Sequence, residues 1–234
     1  MALLRVIGWF GVKVLLLEGG SITHKNWNSL PDLIDWDKTS PISKPDCYGE
    51  TLDSDCLRFL IFGYISARKC IAEVFESIDS FSAKHLELHI EVRIIGAWDQ
   101  HYFRELSSIL ESPRNYSIEI RDEYIPEDEL IGEIRNASCV IAVYRDHVGS
   151  SGVVNLALAH SKCIVFVPRG YLEALARTLG FENLPASVSA LDTFDALEKL
   201  HEGGFEPNFS VDTARNYVEA RSPGNFRTKF HESC

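Results

Sequence analysis

The fold of this chain is decided by residues 59 to 70, which read Phe59-Leu60-Ile61-Phe62-Gly63-Tyr64-Ile65-Ser66-Ala67-Arg68-Lys69-Cys70. The apolar run at the start predicts a buried strand that stops at Gly63, and a helical pattern begins near Ala67. Arg68 and Lys69 then fall in the first turn of a helix, where the positive end of the dipole disfavours cations. A strand, a glycine and cations at a helix start favour an anionic ligand, most often phosphate. The local pattern leaves a second interpretation open, in which both cations point into solvent.

The composition is that of an acidic globular protein. The chain has 234 residues, a formal net charge of −11 and 45% hydrophobic residues. This length suits one large α/β domain, or one domain plus an extended arm. Because binding to a nucleic-acid backbone needs a basic surface, the charge argues against nucleic acid as a partner.

The cysteines and the N-terminal stretch bear on location. The six cysteines form no CxxC pair and no zinc-like spacing with histidines, which predicts reduced thiols, no metal site and a cytoplasmic protein. The first residues resemble a signal peptide, but Arg5 and Lys13 divide the apolar stretch and no small-residue cleavage site follows Leu17. No run reaches the roughly 18 to 20 apolar residues that span a bilayer. We therefore interpret residues 12–17 as a buried strand, with peripheral membrane association as the alternative.

Two regions of different composition follow one another along the chain. Residues 19–55 are rich in Gly, Ser, Pro, Asp and Asn and lack sustained periodicity, which predicts a linker or an arm over a surface. Trp27 and Trp36 indicate that this arm docks. We predict an N-terminal strand and arm over residues 1–55 and a single domain over residues 56–234. Its last part, 205–234, is predicted to form C-terminal helices broken at 222–224.

The second region predicts a Rossmann-like, doubly wound parallel sheet. Strand-like runs span 57–65, 88–95, 116–121, 139–144 and 163–168, with helical stretches near 67–82, 99–111, 127–137, 151–161 and 170–179. A weaker strand at 187–191 and a helix at 193–202 follow. In such an α/β fold, ligands bind outside the carboxyl ends of the strands. Gly63, Gly96, Gly152 and Gly170 all fall at these ends, which predicts a cleft where backbone approaches a ligand.

Five short segments stand in an order and spacing found in a known family. They are 62–69, 94–96, 124–130, 136–144, and 151–159 followed by 162–165. They resemble, in that order, the FGxIxxxKG turn, the ivG strand end, the yip.eel segment, the aDvvvlPY strand and the SGvlllAla.gkPvv segment of GT-B glycosyltransferases, in their C-terminal, donor-binding half. The resemblance is to the family-4 or group-1-like members and covers about residues 57–200, although each segment alone is weak evidence.

The resemblance implies a diphosphate site. Lys69 would hold the diphosphate of a nucleotide-sugar. Ser151, Gly152 and Val153 would offer backbone N–H groups at a helix N-terminus to the same diphosphate, as helix ends do for anions. Gly63 lies at the turn where backbone approaches the ligand. Because the nucleotide-sugar is a substrate and GT-B proteins do not generally require a bound metal, the resemblance implies neither a cofactor nor a metal.

Four further positions complete the candidate site. Tyr124 and Ile125 lie where members of this family contact the nucleobase. Arg145 and His147 belong to a loop at the ligand edge, where they would contact the sugar or the phosphates, and a guanidinium suits phosphate. The alternative for His147 is an exposed loop histidine.

The sequence also departs from the family pattern. Many members carry two glutamates eight positions apart, where this chain has Val148 and Leu156. The arginine that often precedes the lysine by five residues is replaced by Tyr64, and the proline of the last segment is Cys163. These departures weaken the case for catalysis, and no catalytic residue is assigned.

The resemblance implies a glycosyltransferase, or its donor-binding part. It would transfer a sugar from a nucleotide-diphosphate sugar to an unknown acceptor in glycan or polysaccharide biosynthesis. About 55 residues precede the matched domain, too few for the N-terminal half of a GT-B enzyme. A truncated N-terminal domain and a partner chain that supplies this half both remain open. A degenerate, non-catalytic nucleotide-binding or interaction module is the main alternative, and a sugar-nucleotide epimerase, which shares the architecture, is a third.

Overall fold

The computed structural model describes residues 14–17, 27–30, 56–147, 149–222, 224–225 and 227–228. Two short strands, β1 (Val14–Leu17) and β2 (Trp27–Leu30), pair in parallel with Val14 opposite Trp27. The first falls within the strand predicted at 12–17. The second corrects the prediction of an irregular arm at this point, because the backbone of 27–30 pairs with β1. The rest of the predicted arm, including Trp36, lies outside the described residues.

A five-stranded parallel sheet forms the centre of the domain. Its strands are β3 (Cys56–Phe62), β4 (His89–Ile95), β5 (Ser117–Arg121), β6 (Cys139–Ile141) and β7 (Cys163–Val165). The order across the sheet is β5-β4-β3-β6-β7. The chain therefore adds β4 and β5 on one side of β3 and then β6 and β7 on its other side, and the strand order reverses between β3 and β6. This doubly wound topology confirms the predicted fold class, and its ligand cleft is expected at that reversal.

Seven α-helices connect and flank these strands in the part of the chain that the structure describes. They are α1 (Ile71–Lys84), α2 (Gln100–Leu110), α3 (Glu127–Asn136), α4 (Gly152–Ala159), α5 (Tyr171–Leu179), α6 (Ala190–Glu202) and α7 (Val211–Glu219). Side-chain caps fix several of their starts. Asp99 accepts hydrogen bonds from the N–H groups of His101 and Tyr102, and Ser210 accepts one from Thr213.

The core lies on both faces of the sheet. Along β3, Phe59 and Ile61 pack in one apolar cluster with α1 and α6, whereas Leu60 and Phe62 pack in a second cluster with α4, α5 and α7. All four side chains are at most 2% exposed. A parallel strand covered on both faces has no polar side to alternate, which explains the continuous apolar run that the sequence shows here.

One predicted strand is absent, and the ends of several elements differ from the prediction. The weak strand predicted at 187–191 is wrong, because Ser189 caps α6 with a hydrogen bond from the N–H of Asp192 and the helix already begins at Ala190. Strands β6 and β7 end at Ile141 and Val165, three residues before their predicted ends at 144 and 168. Helix α7 ends at Glu219, the described residues 220–222 are not helical, and residues 224–225 and 227–228 are helical again. Within the described ranges, no helix combines the length and the apolar character needed to cross a membrane.

Candidate functional site

The carboxyl end of β3 bends at Gly63, beside the point where the sheet topology reverses. Gly63 has φ +92° and donates its N–H to the Ile95 carbonyl at 3.0 Å. The chain then rejoins the neighbouring segment at Ile65, which forms an isolated parallel bridge with Trp98. This interruption corrects the predicted strand end at residue 65. Since L side chains rarely adopt such a φ, a glycine is required at this bend.

The cations predicted in a helix first turn lie instead in a separate 3₁₀ turn. This turn spans Ala67–Lys69, and Cys70 joins it to α1 with φ +50° in the left-handed region. Cys70 stands where the FGxIxxxKG motif has its last glycine. Its side chain is buried, and burial, followed by the charge of Glu73, raises the pKa of the thiol. The 3₁₀ turn and this left-handed residue together join the bend of β3 to the start of α1.

Lys69 is buried at the carboxyl end of β3. Its side chain is 4% exposed, and its Nζ donates a hydrogen bond to the Phe62 carbonyl at 2.7 Å. Nζ lies 5.0 Å from the centre of the Tyr144 ring, and 3.9 Å from the position a Cβ would take on Gly63. Burial, with a smaller contribution from Arg68, lowers the pKa of Lys69 to about 8. Phe62 is the only hydrogen-bond acceptor for Nζ in the described chain, so two of its three N–H bonds remain for a ligand.

The N-terminus of α4 faces the same point. Ser151 caps this helix by accepting a hydrogen bond from the N–H of Val154 at 3.3 Å, and its hydroxyl lies 3.2 Å from the Tyr144 hydroxyl. Val153 Cγ2 lies 3.6 Å from the Cβ position of Gly63, and a Cβ on Gly152 would meet nothing within 4 Å. Among the described residues, the N–H groups of Gly152 and Val153 have no acceptor. They are therefore available to an anion.

The loop after β6 adds His147 and Arg145. The His147 ring lies 4.8 Å from the Tyr144 ring at an interplanar angle of 33°, and its Nε2 is 3.1 Å from the Ser150 carbonyl oxygen. Burial lowers the pKa of His147, and Arg68 and Lys69 act in the same direction. The hydrogen bond that Nε2–H donates to the Ser150 carbonyl acts against them.

Arg145 lies beside this cluster but is already paired. Its guanidinium forms an ion pair with Glu73 of α1, and its side chain remains 56% exposed. Its backbone N–H donates to the Arg68 carbonyl at 2.8 Å. Arg145 therefore holds the 3₁₀ turn against the β6 loop, and a phosphate would have to compete with Glu73 for its guanidinium.

The two residues predicted at the nucleobase stand apart from this cluster. Tyr124 is 89% exposed, whereas Ile125 is 7% exposed and packs in the second core cluster. No hydrogen bond or ring contact within the described ranges joins either residue to Lys69. Tyr124 is thus free to stack on a planar ligand, while Ile125 offers its backbone.

Tyr144 is the residue that sequence reasoning missed. It is the last residue of the segment 136–144 that resembles the aDvvvlPY strand. Its ring lies within 6 Å of the Lys69 ammonium, the Arg68 guanidinium and the His147 ring. Its side chain is buried, and burial raises the pKa of its hydroxyl. Its position at the carboxyl end of β6, next to the central strand, was the available signal. Among the described residues, no group of three His, Cys, Asp or Glu side chains is arranged to hold a metal ion.

The positions that depart from the family pattern also have a place in the structure. Leu156 lies on α4, half-buried against the second core cluster, and Tyr64 is 56% exposed at the bend of β3. Cys163 is buried in β7. Val148 lies outside the described residues.

Comparisons with known proteins identify the fold. No protein-family model matches the chain, and no curated protein matches its sequence. Solved structures do match. The C-terminal domain of the glycosyl transferase group 1 family protein LpcC from Francisella tularensis superposes with a TM-score of 0.55 at 15% identity, covering 70% of this chain and 85% of that domain.

Two larger structures match over most of the chain. The trehalose-6-phosphate synthase OtsA gives a TM-score of 0.69 at 10% identity, over 93% of this chain and 59% of that one. Anabaena Alr3699/HepE, solved with UDP and glucose, gives 0.63 at 12% identity, over 91% and 56%. The chain thus spans little more than half the length of these two proteins. The described domain has the α/β fold of the C-terminal half of GT-B glycosyltransferases, which confirms the resemblance seen in the sequence.

Proposed function

We propose that this chain is the donor-binding part of a glycosyltransferase and binds a nucleotide-diphosphate sugar. The observation that carries the proposal is the arrangement at the end of β3. The buried Lys69 ammonium keeps two N–H bonds for a ligand, and the α4 N-terminus offers the N–H groups of Gly152 and Val153 next to the same glycine. Both groups are donors, both carry positive charge, and a diphosphate matches both.

This arrangement suits the chemistry of glycosyl transfer. The bond between the anomeric carbon of the sugar and the diphosphate oxygen breaks, while a bond to the acceptor oxygen forms and the acceptor proton passes to a base. Negative charge therefore develops on the nucleoside diphosphate as it leaves. Donors that are already oriented toward this charge stabilise the transition state without reorganising. Lys69 and the start of α4 would supply them, and Tyr124 would stack on the nucleobase.

The acceptor site and the base belong to the other half of a GT-B enzyme. We propose that a longer chain or a partner chain supplies this half, and that the product is a glycan or polysaccharide. A cytoplasmic location is supported by the reduced thiols of Cys70, Cys139 and Cys163, because reduced cysteines are usual in a reducing compartment.

A non-catalytic nucleotide-binding module is the second candidate. The observation in its favour is Leu156, an apolar side chain on α4 at a position where many family members carry a glutamate. A module would bind the nucleotide diphosphate and transfer nothing. Turnover of a nucleotide-sugar in the presence of the missing half would decide for the enzyme.

The test is a thermal-shift screen of the full chain against UDP, GDP, ADP, their common sugar conjugates and inorganic pyrophosphate. At 100-fold over Kd, a ligand specific to the folded state adds about 2.7 kcal/mol, or roughly 5 to 11 °C for a domain of this size. Lys69→Met should abolish the shift, whereas Lys199→Met, at an exposed lysine on α6, should keep it. An absent shift with every nucleotide would contradict the donor site. A thermal shift that persists in Lys69→Met would contradict the assignment of Lys69 as a diphosphate ligand.

A further inference from the structure

Arg68 is a cation that the described chain leaves without a carboxylate. Its side chain is exposed, and its guanidinium lies 5.7 Å from the centre of the Tyr144 ring. In the described ranges it forms neither a side-chain hydrogen bond nor an ion pair, whereas the neighbouring Arg145 is paired with Glu73. The chain carries 34 acidic residues, yet none of the described ones pairs with Arg68.

The backbone of Arg68 is held firmly. Its carbonyl accepts hydrogen bonds from the N–H of Arg145 at 2.8 Å and from the thiol of Cys70 at 3.5 Å. The next residue, Lys69, donates its N–H to the Ser66 carbonyl at 2.8 Å. The backbone that carries the guanidinium is therefore fixed by the loop after β6 and by Cys70, so a ligand would have to order only the side chain of Arg68.

The Arg68 guanidinium and the Lys69 ammonium both lie within 6 Å of the centre of the Tyr144 ring. The charge of Arg68 helps to lower the pKa of Lys69 and the pKa of His147, in each case after the larger effect of burial. Like charges repel one another, and none of the described carboxylates pairs with either cation. A diphosphate would offset the repulsion, because it offers one phosphate to Arg68 and the other to Lys69.

The position five residues before Lys69 supplies no cation in this chain. Tyr64 stands there and is 56% exposed. The positive charge comes instead from Arg68, one residue before Lys69. The cation next to Lys69 therefore lies on the 3₁₀ turn and not at the bend of β3.

We propose that Arg68 binds one phosphate of a diphosphate whose other phosphate is held by Lys69 and the N-terminus of α4. The site then selects diphosphates over monophosphates, because a diphosphate brings a separate phosphate to each of the two cations. The planar fork of the guanidinium suits two phosphate oxygens. This inference rests on the proposed function, since it assigns a second ligand within the same site.

The test compares diphosphate and monophosphate binding by calorimetry. The probes are the nucleoside diphosphate that gives the largest thermal shift, its monophosphate, pyrophosphate and inorganic phosphate. Arg68→Gln should weaken diphosphate binding by about tenfold or more, the order expected for one charge-assisted contact, and change monophosphate binding by less than about threefold. Arg68→Lys should recover part of the loss, since it restores the charge without the fork.

The matched control is Arg177→Gln, which removes the same charge from α5, where Arg177 is 79% exposed and paired with Glu173. It should leave all four affinities unchanged. Unchanged diphosphate affinity in Arg68→Gln, with binding abolished in Lys69→Met, would overturn the role of Arg68 and leave the donor site standing. Equal losses for diphosphate and monophosphate would overturn the selectivity. A wild-type chain that binds no nucleoside diphosphate and no pyrophosphate would overturn both proposals.

Discussion

Gly96 packs its α-carbon directly against the peptide group of Gly63. A Cβ built on Gly96 would lie 2.1 Å from the Gly63 carbonyl oxygen and 2.8 Å from its carbonyl carbon. Gly96 also has φ +137°, and its N–H donates to the Arg121 carbonyl at 3.0 Å. Since neither glycine carries a side chain, the end of β3 can bend over the end of β4. The bend leaves the Phe62 carbonyl free to accept the hydrogen bond from Lys69.

Gly96→Ala is therefore expected to destabilise the domain. The new Cβ would overlap backbone atoms that cannot rotate away, and the φ is strained for any L residue, so we expect a loss of about 2–4 kcal/mol in the free energy of unfolding. Urea denaturation measures it. The control is Gly132→Ala in α3, where a Cβ meets nothing within 4 Å; it should stabilise by about 0.5–1 kcal/mol. Equal stability of Gly96→Ala and wild type would show that the two segments are not packed in this way.

Lys69→Met is expected to make the ligand-free protein more stable while abolishing diphosphate binding. The pKa of Lys69 falls from 10.5 to about 8 on folding, so folding penalises its charged form. The penalty is complete below pH 8 and disappears as the pH rises toward 10.5. We expect a gain of about 1–3 kcal/mol at pH 7, less than the full shift because the bond to Phe62 is lost as well.

Denaturation curves at pH 7, 9 and 10.5 check this expectation. The difference between Lys69→Met and wild type should stay constant below pH 8 and shrink above it. Lys199→Met, at an exposed position, should show little difference at any pH. A Lys69→Met variant that is less stable than wild type at pH 7 would mean that the ammonium is well solvated.

Diphosphate binding is expected to take up a proton at alkaline pH. An anion beside Lys69 favours the charged ammonium, so binding raises a pKa that is about 8 in the free protein. Affinity should be flat below pH 8 and fall above it by up to about tenfold per pH unit. At pH 8.5, calorimetry in buffers of different ionisation enthalpy should show uptake of about three-quarters of a proton per ligand.

The control for this uptake is Lys162, a second lysine whose pKa is lowered by burial. It hydrogen-bonds the Arg135 carbonyl at the end of α3 and is not part of the site. Lys162→Met should leave the proton uptake as it is in wild type. Binding without proton uptake at pH 8.5 would show that the ligand does not reach Lys69.

Asn208 is expected to hold the outer edge of β7. Its side chain accepts a hydrogen bond from the Ile164 N–H and donates to the carbonyls of Ile164 and Glu182, each at 3.0 Å. Asn208→Leu leaves these buried groups without partners and should cost about 2–4 kcal/mol. Hydrogen exchange at the Ile164 amide should accelerate, whereas Asn216→Ala, at an exposed position on α7, should change neither measurement. A protected Ile164 amide in Asn208→Leu would mean that another group closes this edge.

The sheet and most helices could be predicted because local signals and global fold agree. The continuous apolar run of β3 follows from burial on both faces, and Asp99 and Ser151 mark helix starts through their own hydrogen bonds. The strand predicted at 187–191 was wrong because this stretch has only Val188 and Leu191 as large apolar residues, and Ser189 caps a helix that begins at Ala190. β2 lies in a segment whose composition predicts no regular structure, and its pairing with β1 joins residues 13 positions apart, which the pattern of residues 27–30 alone does not show.

The sequence by itself determined the fold class and the residues that carry the donor-site hypothesis, since both depend on the order of short apolar runs, glycines and caps. Only the tertiary structure decided how those residues meet. It buried Lys69 against the Phe62 carbonyl, paired Arg145 with Glu73 and placed Arg68 beside Tyr144, with no carboxylate partner among the described residues. The physical reason is that these contacts join β3 to β6, whose residues lie nearly 80 positions apart in the chain. Their geometry follows from the packing of the whole sheet, which local sequence patterns do not determine.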